Sequence, residues 1–417
     1  MALHIPTIRE QFPALQHPLI FFDNPGGTQV ARQSLDRMVD YLVNANANHG
    51  GSFATSRASD AIVDTAREAC ADFLNAARPE EIVLGPNMTS LTFRLGRALA
   101  PLFQPGESMV LTRLDHDANV TPWARLAEDR GMRVCVVDFD VETGLLNLES
   151  LRETIEREHP RLVAVGYASN ALGTVSPIRE ITRMAHEAGA LVYVDAVQYA
   201  PHGPIDVQDL GVDFLVCSAY KFFGPHVGVL YGRYDLLEEL RAYKVRPAPD
   251  LPPGKFETGT NNFEGIAGVL GALEYLQWVG ETFGGEHAEL CAPLYSGRRL
   301  AFKQGMAAIR SYEFELSRAL LNGLESVPGV RVYGPADPMH LEQRVPTFSF
   351  TMQGQSPSSA AQALAERGIN VWDGHFYAVN VVERLGLQQQ GGLVRVGAVH
   401  YNTLEEVHAL VEALRSI

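Results

Sequence analysis

The chain has 417 residues, 46% of them hydrophobic and 20% charged, and carries a formal net charge of −15. That composition excludes a disordered or fibrous chain and suits a globular protein of about two or three packed units. The acidity, with no Lys/Arg-rich block to offset it, argues against nucleic acid or an anionic membrane as a main partner. No apolar run of about 18 residues is present to span a bilayer. The N-terminus (MALHIPTIREQFPALQ) lacks a basic segment followed by an apolar stretch, so no signal peptide is expected. Cys70, Cys135, Cys217 and Cys291 are widely spaced and form no Cys-x-x-Cys pair. A disulfide scaffold or zinc ribbon is therefore not expected, and a reducing cytoplasm is the location that fits.

From about residue 80 to 235, short apolar runs alternate with amphipathic stretches. The runs Glu81–Leu84, Met109–Leu111, Val134–Val137, Leu162–Val165, Leu191–Asp195 and Phe214–Ser218 read as strands. Thr89–Leu99, Val120–Arg130 and Ile178–Ala188 read as helices between them. Continuous apolar strands separated by helices are what a parallel sheet covered on both faces requires. The stretch Arg246–Gly254 (RPAPDLPPG) breaks regular structure and reads as a linker. Beyond it come a long helical region from Gly265, strands near Val330–Tyr333 and Thr347–Thr351, a helix Ser358–Arg367 and a strand Leu393–Val396. Thr403 and Glu406 form a capping box for a last helix. The expected division is an N-terminal segment 1–20 packing on the smaller unit, a large α/β domain 21–255, and an interdomain helix with a C-terminal α+β domain over 256–417.

Lys221 stands among Phe214, Leu215, Val216, Phe222 and Phe223, a context that buries it. Most lysines are solvated surface groups. A buried ammonium is costly unless its pKa falls or the amine is converted, as by condensation with an aldehyde. Ser218, Gly224 and Gly228 flank it, as close approach of backbone to a phosphate would need. Asp195 ends a strand, where open parallel sheets bind ligands, and could pair with a protonated ring nitrogen; alone it reads as a helix N-cap. Gln198 follows three residues later and could bond a phenolic oxygen. Thr89 and Ser90 open a helix, a ready phosphate site or a simple cap. His116 also follows a strand and could stack on a planar ring, although a lone histidine is more often structural. Arg395, inside a predicted strand, wants a carboxylate, from a substrate or from a structural ion pair.

With FFDNPGG, NMTSL, LDHDANVTPW, YASNALGTVSPI, VDAVQ, CSAYK, ETGTNN and VRVGAVHYN in this order, the chain resembles the class V aminotransferase family, in its cysteine desulfurase and selenocysteine lyase branch. The resemblance covers nearly the whole chain. It implies the fold-type I arrangement, a large domain around a mainly parallel seven-stranded sheet plus a smaller α+β C-terminal domain. It implies pyridoxal 5′-phosphate as cofactor, held as a Schiff base on Lys221, with Asp195 at the pyridine nitrogen, Gln198 at the ring oxygen and His116 stacked on the ring. Met88, Thr89, Ser90 and Ser218 would hold phosphate, and Asn170 and Arg395 would meet the substrate carboxylate. Thr260 would reach the phosphate of a neighbouring subunit, so a homodimer is implied.

Two departures stand out. Tyr220 occupies the place before the lysine where the family usually has His, and the loop Val371–Asn380 (VWDGHFYAVN) has no cysteine where desulfurases carry their mobile thiol. Thiolate chemistry requires a thiol. His375 and Tyr377 of that loop are expected to contact the substrate instead. The reaction expected first is a lyase-type β-elimination on a cysteine-like or other β-substituted amino acid, through an external aldimine. Transamination or epimerisation is the alternative within the family, and a pyridoxal-phosphate-binding module without catalysis is the alternative outside enzymes. A nucleotide-binding α/β protein finds no support, since neither G-x-G-x-x-G nor G-x-x-x-x-G-K-[ST] follows a strand.

Overall fold

The protein is described by a computed structural model covering residues 3–417. Its centre is a seven-stranded sheet in the order Ile82–Gly85, Gly228–Gly232, Phe214–Ser218, Leu191–Asp195, Leu162–Gly166, Ser108–Thr112, Arg133–Val137. The last five of these strands run parallel; Gly228–Gly232 is antiparallel to both of its neighbours. Successive strand residues point to opposite faces, so a strand apolar throughout feeds two cores. Val192 and Val194 pack on one face with Leu215 and Cys217. Tyr193 packs on the other with Phe214, Val216 and Trp123.

The strand Gly228–Gly232 escapes a reading by composition because glycines bracket it. Gly228 opens that strand beside the Asn87 turn. A Cβ there would stand 2.5 Å from the backbone of Asn87, so the glycine lets this strand pass close under the Asn87 turn. That turn opens the helix Met88–Leu99, whose cap is Asn87, not Thr89 or Ser90: Asn87 Oδ1 accepts the Ser90 N–H at 2.9 Å.

The smaller sheet is antiparallel, ordered Trp372–Gly374, Leu393–Gly397, Thr347–Met352, Val330–Tyr333, and is covered by the helices Pro357–Ala365 and Leu404–Arg415. The capping box of the last helix forms, with Thr403 and Glu406 exchanging bonds of 3.2 Å. Two helices govern how the halves join. Phe263–Phe283 buries Ile266, Val269, Leu273 and Leu276 in the same core as the large sheet, and its Tyr275 hydroxyl hydrogen-bonds His400 of the C-terminal part. Gly297–Glu325 is the helix that crosses, with Phe302 and Met306 in the large core and Leu316, Leu320 and Leu324 in the small one. The N-terminal segment straddles both. Ile20–Phe21 pairs with Ile369–Asn370, while Phe12 packs edge-on against Phe223, Tyr275 and Tyr401. No helix among the described residues is long and apolar enough to cross a membrane.

Candidate active site

Strands of the large sheet end at one cleft, and most of the singled-out residues follow those ends. Two connected chambers open there. The inner one, of about 50 Å³, is lined by Met88, Thr89, Asp115, Asp195, Gln198 and Gly166 among others. The outer one, of about 650 Å³, adds Arg395, Trp372, Asp373, His375, Phe376 and Tyr377. Thr89, His116, Asn170, Tyr220 and Lys221 line both. Three residues stand apart from the lining. Ser218 is fully buried behind it, its Oγ accepting the Met88 N–H at 3.1 Å. Ser90 only engages the Asn87 cap. Thr260 is exposed on the surface.

Lys221 is buried, and its Nζ donates to the carbonyl of Pro25. Burial and the nearby Arg395 pull its pKa down to about 7, against the opposing pull of Asp195. Asp195 is raised to about 6 by burial, although its Oδ1 accepts the Val197 N–H at 2.9 Å and Lys221 favours its charge. Burial, Lys221 and Arg395 lower His116 to about 4, so the imidazole is neutral. Its Nδ1 accepts the Ala118 N–H at 3.0 Å, which leaves the ring proton on Nε2. Tyr377 stacks on it, centroids 5.5 Å apart and planes 20° from parallel.

Among the described residues Arg395 has no carboxylate partner in an ion pair. Its Nη1 donates to Asn170 O at 2.9 Å and its guanidinium lies 4.3 Å from the centre of the Phe376 ring. Burial lowers its pKa to about 9, with Asp23 opposing. Asn170 Nδ2 donates to Phe376 O at 2.8 Å. Tyr377 O accepts the Asp117 N–H at 2.8 Å, a second tie between the loop and the large domain. Phe376 and Tyr377 are both left-handed, at φ 54° and 59°, a costly conformation for bulky residues that the surrounding bonds hold in place. Tyr220 stacks on His226, centroids 4.9 Å apart.

Asp115 was not singled out by its sequence context, although it precedes His116 at the end of the same strand. It is buried beside the inner chamber, accepting from Thr112 Oγ1 at 2.7 Å and Asn119 Nδ2 at 3.2 Å, and burial raises it to about 7. A Cβ at Gly166 would stand 2.6 Å from its Oδ1, so only glycine leaves room for that carboxyl. The signal was available in LDHDAN, since the strand-end argument for His116 applies equally to its neighbour.

The chain matches the sequence profile of the Aminotransferase class-V family over residues 20–297 and 294–410. The chain belongs to the class V aminotransferases. It is 36% identical, over 99% of its length and 98% of the relative's, to an aminotransferase-like protein of Gibberella zeae. It is 33% identical over 99% of its length to a cysteine desulfurase of Synechococcus elongatus, of which it spans 63%. Among solved structures, the apo cysteine desulfurase of Thermococcus onnurineus NA1 superposes with a TM-score of 0.87 at 28% identity, covering 100% of this chain and 99% of that one. Class V aminotransferases are pyridoxal-phosphate enzymes, and so is this chain. The cleft fits that cofactor on its own terms. Gln198 Oε1, Asn170 Oδ1 and Arg395 Nε are buried without a hydrogen-bond partner among the described residues, and all three residues line the chambers. Buried polar atoms left open in this way are what a polar ligand satisfies.

Proposed function

We propose that the protein is a lyase of cysteine-desulfurase type that acts by β-elimination on a β-substituted amino acid, and that the two chambers are its active site. What carries this reading is the convergence of Lys221, Asp195, His116, Gln198, Asn170 and Arg395 on one cleft that contains open buried polar atoms. Lys221 would bond the aldehyde carbon of the cofactor, Asp195 and Gln198 its ring nitrogen and ring oxygen, and Met88, Thr89 and Ser218 its phosphate. The bound cofactor supplies an electron sink for negative charge at the substrate Cα. Arg395 and Asn170 orient the substrate carboxylate, as the bidentate guanidinium fork suits. Lys221 Nζ, whose pKa burial and Arg395 lower to about 7, would be the group placed to take the Cα proton. His116 Nε2–H is the proton available to the departing side-chain group. Tyr377 and His375 close the mouth. Asp195, raised by burial, becomes the stable anion when a ring cation stands against it.

The four cysteines shape the choice of reaction. None lines either chamber; Cys70, Cys217 and Cys291 are buried. Burial pushes the Cys70 thiol up to about 12 and raises the other three as well. Persulfide formation on the protein is thus not part of the proposed cycle, and replacing all four by Ala or Ser should cost stability while sparing the chemical step. A mass-spectrometric persulfide after incubation with cysteine, lost together with activity in one Cys variant, would restore a thiolate mechanism. Transamination and epimerisation share this freedom from thiols and are separated by products. Holoenzyme mixed with a panel of amino acids, followed by cofactor absorbance and by pyruvate, ammonia, sulfide and keto-acid release, tests the assignment. Pyruvate or sulfide is expected; a stable pyridoxamine form would make the enzyme a transaminase. A cytoplasmic homodimer completes the proposal, supported by exposed Leu35, Val39, Leu42, Val43 and Phe53 and by Thr260 lying outside its own cleft.

A further inference from the structure

We propose that Phe376 is a positioning residue for substrate recognition: its ring and its backbone carbonyl together hold Arg395 and Asn170 in the arrangement that takes the α-carboxylate. The inference rests on the amino-acid reading of the cleft given above, and adds to it a residue to which that reading gives no part. Phe376 lies two residues beyond the edge strand Trp372–Gly374, in which Trp372 stands opposite Arg395. Opposite residues of an antiparallel pair share a face, so the chain must turn back past Gly374 to bring Phe376 over the same guanidinium. The left-handed residues Phe376 and Tyr377 form that turn.

Three contacts close a circuit. Phe376 O accepts the Asn170 Nδ2–H at 2.8 Å, Asn170 O accepts the Arg395 Nη1–H at 2.9 Å, and the guanidinium lies 4.3 Å from the centre of the Phe376 ring. Each member restrains the other two, and both Asn170 and Arg395 are buried. A guanidinium laid on an aromatic face has its plane set by that ring. With Nη1 engaged, the edge formed by Nε and Nη2 makes no hydrogen bond to the described residues, and Nε is buried without a partner. Asn170 Nδ2 keeps a second N–H beyond the one given to Phe376. A two-pronged bond to a carboxylate needs one free guanidinium edge at a fixed orientation. Without the ring the substrate would itself have to order a long side chain, which weakens binding. A phenylalanine at φ 54° is strained where glycine would not be, and its two contacts supply the reason for a ring there.

The experiment isolates the carboxylate from the rest of the substrate. Holoenzyme is titrated with L-alanine against ethylamine and with L-phenylalanine against phenethylamine, reading the cofactor absorbance and, independently, the heat of binding. The wild type should prefer the amino acid in each pair. Phe376→Leu keeps bulk but removes the aromatic face, and Phe376→Gly suits the left-handed backbone. Each should lower the preference about tenfold while the amines bind as before. Phe376→Tyr retains the face and should retain the preference. If the Leu and Gly variants weaken amino acid and amine together, Phe376 only shapes the mouth and the proposal is wrong. If both variants keep the wild-type preference while Arg395→Lys lowers it, Phe376 loses its part and the amino-acid reading stands. A wild type that binds amino acids and amines equally would remove the carboxylate site and this inference with it. No response to either amino acid would overturn the amino-acid reading as a whole.

Discussion

Asp195 ends a strand of the large sheet and His116 and Lys221 lie in the turns after two others, whereas Asp373, His375 and Tyr377 sit on and beyond a short edge strand of the small one. The first group is held by a sheet whose backbone bonds are complete and whose two faces are packed. Burial there moves every titrating group named above, because removing water disfavours whichever form is charged. The second group is held by a few crossing bonds, Asn170 to Phe376 and Asp117 to Tyr377, and by two left-handed residues. A rigid floor suits chemistry that is common to a family, and a loosely tied mouth suits the choice of side chain, since loops tolerate change that sheets do not.

Substitutions on the floor should therefore cost rate, and those at the mouth affinity. The largest loss is expected for Lys221→Ala, on the order of 10³-fold or more in kcat, with no borohydride-reducible cofactor linkage left on the protein. Covalent labelling of another lysine in the wild-type protein would break the assignment. Asp195→Asn should follow, about 10²-fold in turnover.

The same variant has a signature in the cofactor-free protein. Asp195 titrates at about 6 when folded, above its ordinary 3.8, so the folded state holds an extra proton between those values. The wild type therefore loses stability through this group as pH rises from about 4 to about 6, on the order of 1 kcal/mol per pH unit, and Asp195→Asn lacks that slope. Denaturation midpoints of the two proteins that move in parallel over this range would contradict the burial of an ionisable acid there. Arg395→Lys is expected to weaken amino-acid binding about tenfold, because an ammonium cannot form the two-pronged bond to a carboxylate. Equal affinity for an amino acid and its decarboxylated amine would remove Arg395 from that role. The smallest effect, roughly two- to threefold in KM with kcat preserved, is expected for Tyr377→Ala on the exposed rim. A large fall in kcat there would erase the distinction between floor and mouth.

Composition and pattern made the parallel strands legible, since apolar runs such as LVYVD can only serve a sheet buried on both faces. They also made Lys221 conspicuous, because a lysine between Phe214 and Phe223 contradicts its surroundings. The antiparallel strand Gly228–Gly232 was hidden by its glycines, which answer to the Asn87 backbone across the sheet. The helix Ala54–Leu74 carried a readable signal, Val63, Ala66, Cys70, Ala71 and Leu74 at helical spacing, blurred by small residues that match no strong apolar stripe.

Local periodicity and the order of short motifs thus sufficed for the fold class and for the residues at strand ends, because both depend on neighbours close in the chain. The partnership of Asp115 with Gly166, the open atoms of Asn170 and Arg395, and the bond from the Asp117 N–H to Tyr377 O depend on segments up to about 260 residues apart. Those arrangements, and the burial that shifts each charge, exist only once the two sheets have packed around the cleft.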